Sequence, residues 1–263
     1  MQKFQTIGFI GGGRVTEFLL TRLKNRNALP ERVLVSDPDE SRLRKIPTID
    51  PDIIQTVNSN REAARADLVF LAVHPPALET VISEIRNGLE PTAILISLLP
   101  IVTIRRLTEM LAGFNRIVRM IPNAPSIIGK GYNPVVFSSN LNDQEKAPLL
   151  ILFENWGESP EVPEEHLEAY AIITGMGPTY FWFQWLELLH LAKEFGLIES
   201  AAREALSAML TGAVETLFNS GLSTEKVFDS IPAYPLKKQE ETIRQIFNER
   251  LTSLFQKMTQ GTS

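Results

Sequence analysis

Short apolar runs alternate with longer amphipathic stretches along the first half of the chain. The apolar runs predict strands at Thr6–Ile10, Arg32–Ser36, Asp67–Val73, Ala93–Leu98, Arg116–Met120 and Pro134–Phe137. The amphipathic stretches predict helices at Val15–Lys24, Glu62–Arg65, Leu78–Asn87 and Ile104–Leu111. Runs such as LVFLAV, which show no polar alternation, suit strands that are buried on both faces. The alternation of strands with helices therefore predicts an α/β fold built on a parallel sheet.

The pattern changes after Gly157, where the Pro- and Glu-rich segment GESPEVPEE is typical of a connection. Nearly all of the remaining chain has helical periodicity, and we predict helices at Glu164–Phe195, Ser200–Phe218, Glu225–Phe228 and Lys237–Met258. We therefore place a domain boundary near Val162. Residues 1–162 form the predicted sheet domain, and residues 163–263 form an all-helical domain.

Three glycines stand where the first predicted strand meets the first predicted helix, in TIGFIGGGRVTEFLL. Gly8, Gly11 and Gly13 allow a sharp turn and leave the N–H groups at the helix start open to a pyrophosphate. Asp37 ends the second strand, where a Rossmann fold binds an adenosine ribose. The alternative is a tight strand–helix turn in another α/β protein, and Thr16 stands in place of the usual third glycine. The order of strand, glycines, helix and acid predicts an N-terminal Rossmann domain that binds a dinucleotide.

Two cofactors fit this motif, NADH and NADPH. The Asp37 carboxylate accepts hydrogen bonds from a free ribose diol and repels a 2′-phosphate, which favours NADH. Arg14, Arg42 and Arg44 either offer a phosphate clamp for NADPH or belong to a solvated helix face. The sequence alone therefore does not decide between NADH and NADPH as the cofactor.

Composition narrows the class of protein further. The net charge of −5 gives no general attraction for nucleic acid or for an anionic membrane surface, and no apolar run reaches the roughly 18 residues of a membrane span. The chain has no cysteine, which excludes disulfides and thiolate metal sites. The histidines His74, His166 and His190 lack the spacing of a zinc site. We expect a cytoplasmic protein without a signal peptide, a metal, a nucleic-acid partner or a membrane partner.

Several longer motifs, taken in order, resemble the pyrroline-5-carboxylate reductase family. They are IGFIGGGRVTEFLL, ADLVFLAVHPPALETVI, RIVRMIPNAPSIIGKGYNPVVF, ITGMGPTYFWF and FGLIESAAREALSAMLTGAVETLF, and they run from about Thr6 to Ala233. The combination of RMIPNAP with a distant GMGPTY is more specific than any glycine loop. The resemblance implies that a cyclic imine acid is reduced to proline with hydride from NADPH or NADH. It also implies a homodimer formed by the C-terminal helices, with the active site between the Rossmann domain and the partner's helices.

The glycine motif and the resemblance together assign roles to individual residues. The residues predicted to contact the cofactor are Gly8, Gly11, Gly13, Arg14, Val15, Asp37, Asn60, Val73, His74 and Pro75. The residues predicted at the substrate are Thr174, Gly175, Met176, Gly177 and Tyr234, and Asn123 is predicted near the nicotinamide. Asn123 and Thr174 are the catalytic candidates. No catalytic histidine is required, because a protonated cyclic imine accepts hydride without a dedicated acid.

The departures from the family pattern fall where the substrate should bind. In the family's carboxylate-binding SPGGTT turn, this chain has SIPAYPL, so that Pro235 and Leu236 replace two threonines. Proline lacks the N–H and leucine lacks the hydroxyl that would hold a carboxylate. Other changes also remove polar groups, since Ala124 replaces a threonine and Ala208-Met209 replaces a Gln-Thr pair. Leu99-Pro100-Ile101 replaces the family's AAG segment with bulkier apolar residues.

These changes leave several interpretations open. The substrate is less polar or bulkier than pyrroline-5-carboxylate, or the chain binds dinucleotide without catalysing a reaction, or Tyr234 and Thr174 hold the carboxylate from new positions. A further alternative is a related reductase whose hydride donor is a deazaflavin.

Overall fold

The computed structural model describes residues 4–57 and 59–260. Its first part is a seven-stranded sheet in the order β3-β2-β1-β4-β5-β6-β8. The strands are β1 (Thr6–Ile10), β2 (Arg32–Ser36), β3 (Ile54–Thr56), β4 (Leu68–Leu71), β5 (Ile94–Ser97), β6 (Ile117–Met120) and β8 (Val135–Phe137). A smaller sheet pairs β7 (Gly131–Tyr132) with β9 (Gly157–Glu158). The order of the parallel strands is that of a Rossmann domain, which confirms the predicted fold class.

Helices connect and cover these strands. They are α1 (Arg14–Asn25), α2 (Glu40–Lys45), α3 (Asn60–Ala63), α4 (Leu78–Ile85), α5 (Ile104–Met110), α6 (Asp143–Phe153) and α7 (Leu167–Tyr170). A buried cluster on each face of the sheet joins it to the helices. In one cluster the Phe9 and Phe70 rings stack at 4.6 Å, and Trp156 meets Phe70 edge-on at 5.9 Å. Burial of apolar side chains on both faces explains why the strands read as continuous apolar runs.

The strand β8 runs antiparallel to β6, so the predicted parallel sheet has one antiparallel strand at its edge. A parallel pairing needs a long crossover connection, usually a helix. Only residues 121–134 separate β6 from β8, and within them the chain makes a single 3₁₀ turn, Ala124–Ile128, followed by β7. The chain therefore returns along the sheet edge in the opposite direction.

The segment after residue 162 belongs partly to the sheet domain. Two compact units are present: one ends at Met176 and includes the chain again from Phe255, and the other is Gly177–Leu254. Glu164 and Glu168 attach residues 164–168 to the sheet, because both carboxylates pair with the buried Arg119 on β6 at 2.9 and 2.6 Å. These ion pairs are the physical reason why the first compact unit extends beyond residue 162. The domain boundary near Val162 stays a prediction.

The second unit is helical, as predicted. Its helices are α8 (Pro178–Glu194), α9 (Glu199–Asn219) and α10 (Thr224–Asp229), and α11 (Glu240–Gln260) begins in it. None of the 17 residues of α8 is buried, and Ala202 is the one buried residue of α9. Large apolar side chains such as Phe183, Phe195 and Phe218 are between 66% and 79% exposed. Among residues 4–57 and 59–260, no helix is both long and apolar enough to cross a membrane.

Candidate active site

The glycine loop leaves the start of α1 open. Gly11 has a φ of +107°, its N–H donates to the Ser36 carbonyl at 2.7 Å, and an added Cβ would overlap the Ala72 carbonyl oxygen. At Gly13, which caps α1, an added Cβ would meet no atom within 4 Å. The N–H groups of the first helical turn have no partner within the helix and carry a partial positive charge. The open space at Gly13 is thus a cradle for a phosphate group.

The two other small positions of the motif serve packing. Gly8 lies inside β1, where an added Cβ would overlap the Ala63 carbonyl oxygen of α3. Thr16, in place of the usual third glycine, is fully buried, and its hydroxyl donates to the Gly11 carbonyl at 2.5 Å. The hydroxyl therefore has a partner, and the threonine ties the first turn of α1 to the loop.

A cavity of about 560 Å³ lies beside this loop, at the carboxyl ends of β1, β2 and β4. The predicted residues that line it are Gly11, Gly13, Asp37, Asn60, Val73 and His74. Gly8, Arg14, Val15 and Pro75 are not among its lining residues. The strand order reverses between β1 and β4, and ligands of open α/β sheets bind at such a reversal.

The carboxylate of Asp37 holds the glycine loop, a role that the sequence did not reveal. Its Oδ2 accepts the Gly12 N–H at 2.8 Å, and its Oδ1 accepts the Asp39 N–H at 2.8 Å. Arg42 lies 3.3 Å from Asp37 Oδ2 and 3.4 Å from an Asp39 oxygen. A carboxylate has about four acceptor positions, so one remains for a ribose hydroxyl. Two carboxylates around one guanidinium leave little positive charge for a 2′-phosphate.

A polar chain borders the same cavity and was only partly foreseen. The Ser36 hydroxyl donates to Asn60 Oδ1 at 2.5 Å, and Asn60 Nδ2 donates to Glu84 at 2.6 Å. Asn60 was predicted near the adenosine, whereas Thr80 and Glu84 were not predicted at the site. These two residues stand four positions apart on α4 and so share the helix face that lines the cavity.

Asn123 connects two segments near the end of β6. Its Nδ2 donates to the Thr174 carbonyl at 3.3 Å, and its Oδ1 accepts the Tyr132 N–H at 3.1 Å. The Thr174 hydroxyl donates to the Tyr170 carbonyl at 2.8 Å. Thr174 and Gly175 lie in a π-helical turn, Ala171–Gly175, a local geometry often found at functional sites. The structure therefore brings the two catalytic candidates together.

Tyr132 and Tyr170 border this cluster. Their ring centroids are 6.2 Å apart. Burial raises the pKa of the Tyr132 phenol, and the neighbouring Tyr170 and Glu158 raise it further. Both effects move the pKa of the Tyr132 phenol further above neutral pH, where a phenol is already protonated.

The remaining predicted substrate residues are divided between the two units. Met176 ends the first unit, and Gly177 and Tyr234 belong to the second. Within that unit the Tyr234 ring stacks on Phe228 at 6.3 Å, and the Tyr234 hydroxyl lies 3.4 Å from the Phe228 carbonyl. The residues that replace the family's carboxylate turn line a groove of about 1760 Å³ with mainly apolar neighbours such as Phe183 and Phe247.

Comparison with known proteins gives related sequences over most of the chain. Residues 6–100 match the family model described as NADP oxidoreductase coenzyme F420-dependent. The pyrroline-5-carboxylate reductase of Corynebacterium melassecola is 26% identical over 219 residues, which cover 82% of this chain and 81% of that protein. The enzyme of the same name from Synechocystis is 30% identical over 183 residues, covering 66% of this chain and 64% of that protein.

Solved structures share the fold. Plasmodium falciparum pyrroline carboxylate reductase with NADP bound has a TM-score of 0.85 at 23% identity and covers all of both chains. An imine reductase from Streptomyces aurantiacus has a TM-score of 0.57 at 16% identity, over 81% of this chain and 75% of that chain. A nicotinamide dinucleotide fits the residues present, because its pyrophosphate requires the open position that Gly13 provides. The relatives, the order of the motifs and the cleft at the strand reversal together show an NAD(P)-dependent oxidoreductase that is similar to the pyrroline-5-carboxylate reductases.

Proposed function

We propose that this protein reduces the C=N bond of a cyclic imine of the pyrroline-5-carboxylate type. The observation that carries the proposal is the position of the Asn123–Thr174 contact relative to the dinucleotide cavity. Leu71 on β4, Ser97 on β5 and Arg119 on β6 are paired in register, so the three strands end side by side. The cavity lies beyond β4 and the Asn123–Thr174 contact beyond β6, along one edge of the sheet.

The residues of this edge bind and orient; none needs to act as an acid. A reduced nicotinamide, when bound, supplies the hydride. The Thr174 hydroxyl gives its hydrogen to the Tyr170 carbonyl, which leaves the oxygen lone pairs free to accept an N–H from a protonated imine. Asn123 uses its side-chain oxygen and one N–H within the protein and therefore acts as a positioning residue for Thr174 and Tyr132.

The substrate is proposed to be less polar than pyrroline-5-carboxylate. In the replaced turn, Pro235 offers no N–H, Leu236 offers no hydroxyl, and the Tyr234 hydroxyl faces the Phe228 carbonyl. A carboxylate without donors binds poorly. We expect a higher kcat/KM for 2-methyl-1-pyrroline than for pyrroline-5-carboxylate, measured by the absorbance of NADH or NADPH. A higher kcat/KM for pyrroline-5-carboxylate would show that the protein still binds the carboxylate of the substrate.

A deazaflavin-dependent reaction is a second candidate, because the family model matched by residues 6–100 is coenzyme F420-dependent. The same imines assayed with a reduced deazaflavin distinguish the two donors. If the protein binds NADH or NADPH but reduces no imine with either donor, it is a non-catalytic dinucleotide-binding protein.

Asp37 is proposed to discriminate against the 2′-phosphate of NADPH. The variant Asp37→Asn keeps an oxygen for the Gly12 N–H, gives up the acceptor for the Asp39 N–H, and removes the charge beside Arg42. A unit charge about 8 Å away at an effective dielectric constant of about 20 contributes about 2 kcal/mol. We therefore expect D37N to raise the ratio of NADPH to NADH affinity roughly tenfold or more, measured by calorimetry. Arg42→Gln is the control, because it removes a positive charge and should lower the ratio of NADPH to NADH affinity. An unchanged ratio in D37N would show that Asp37 does not select between the two cofactors.

A homodimer and a cytoplasmic location complete the proposal. The exposed apolar side chains of α8 and α9 fit burial against a second copy of the chain. Sedimentation equilibrium is expected to give twice the chain mass of 29.5 kDa. A monomer at micromolar concentration would contradict the dimer, and the cytoplasmic location rests on the sequence alone.

A further inference from the structure

The loop between β5 and α5 contains a strained residue. Ile101 has a φ of +76°, in the left-handed region, and it is the one β-branched residue with positive φ among residues 4–57 and 59–260. This conformation is unfavourable for any side chain and most unfavourable for a branched one. The resemblance to the family places a glycine here, for which the same φ carries no strain.

Packing does not explain why isoleucine is present. Its neighbours Leu98, Val102 and Ile104 pack against the two buried clusters of the sheet domain, whereas Ile101 is in neither set. Ile101 is half-buried all the same. Its burial therefore comes from contacts outside these two clusters.

The surrounding structure holds the strained backbone in place. The Ile101 N–H donates to a Glu168 oxygen at 3.0 Å, and the Ile104 N–H donates to a Glu164 oxygen at 2.7 Å. Both carboxylates are fixed by Arg119. Strain that is held so firmly is typical of residues whose conformation serves a function.

The position of the loop indicates that function. Ser97 ends β5 in register with Leu71 on β4 and Arg119 on β6. Ile101 follows four residues later, in the loop after the middle strand of the three. The dinucleotide cavity lies on one side, at Val73 and His74, and Asn123 lies on the other.

We propose that the Ile101 side chain is the wall of the substrate pocket between the cofactor edge and the Asn123–Thr174 contact, and that it limits the size of the group next to the C=N carbon. The proposal rests on the proposed imine reduction. A glycine at this position would leave the pocket wider, so isoleucine at a strained φ selects for small substituents.

The test compares native protein with Ile101→Gly and, as a matched control, Val102→Ala, on 2-methyl- and 2-phenyl-1-pyrroline. We expect I101G to raise the kcat/KM ratio of the phenyl to the methyl compound roughly tenfold or more, since small volume changes in an apolar pocket have effects of this order. Its Tm is expected to stay unchanged or to rise, because strain is removed. V102A should lower Tm and leave the ratio unchanged.

Two results would overturn the proposal while the proposed function stands: an unchanged ratio in an active I101G, or a fall in its Tm of about 5 °C or more, which is the effect of deleting a packed side chain. If native protein binds NADH or NADPH but reduces neither imine, the proposed function fails and the role of Ile101 fails with it.

Discussion

Replacing Arg119 by methionine is expected to lower the free energy of unfolding by about 3–5 kcal/mol, the usual effect of removing one partner from a buried ion pair. The Arg119 side chain is 1% exposed and pairs with Glu164 and Glu168, whose side chains are 29% and 6% exposed. Methionine has similar length but no charge, so Glu168 would remain buried with the Ile101 N–H as its remaining partner among the described residues. Chemical denaturation of the two proteins measures the difference.

Arg116→Met is the matched control. Arg116 precedes β6 and also pairs with a glutamate, Glu145, at 2.7 Å, but the two side chains are 23% and 19% exposed. Water reaches this pair, and we expect a loss of about 1 kcal/mol or less. Adding Glu168→Gln to R119M should restore part of the lost stability, because a neutral amide is less costly to bury than a charge. Equal losses in R119M and R116M would show that the buried cluster contributes no more than a surface pair.

The strands were the easiest elements to predict from the sequence. The bounds of β1 and β2 agree with the predicted Thr6–Ile10 and Arg32–Ser36, because strands buried on both faces have continuous apolar runs. The helix α2 has no buried residue, and β3 has three residues at the sheet edge, so neither leaves a periodic pattern.

The helix α6 was missed for a different reason. Pro148 lies inside it, which counts against a helix in a sequence. Its start did carry a signal, since Asn142 and Glu145 form a capping box, with each side chain bound to the other's backbone N–H. That spacing was visible before the structure was known.

At the candidate site, the sequence predicted the glycine loop but not the tertiary contacts that hold the other site residues in place. The glycines and Asp37 could be placed because the Rossmann motif fixes their spacing. The contacts of Asn123 with Thr174, 51 residues later, depend on tertiary structure. The residue type of Ile101 gives no indication of a left-handed backbone; the one signal was the glycine that the family's AAG segment has at this position.

Gly13→Val is expected to abolish most of the dinucleotide affinity while leaving the fold intact. The added side chain enters the open space at the start of α1, and Gly13 has φ −79° and ψ −172°, a conformation that valine adopts freely. Loss of one or two hydrogen bonds to a charged pyrophosphate, about 2–3 kcal/mol, corresponds to roughly 30- to 150-fold in Kd. Calorimetry with NADH and NADPH measures this loss, and the Tm of the free protein should change by no more than the effect of a helix cap, about 1 kcal/mol.

Gly12→Ala is the control one residue away, because an added Cβ there makes ordinary contacts of 3.4 and 3.5 Å with Asp37 and Val35. It should bind dinucleotide as the native protein does and gain the same rise in Tm at saturating ligand. Within the glycine loop, only Gly13 combines an ordinary backbone with empty space, so a side chain there acts on the ligand and not on the protein. Native affinity in G13V would mean that the pyrophosphate does not approach the start of α1, and the proposed reduction would then lose its hydride donor site.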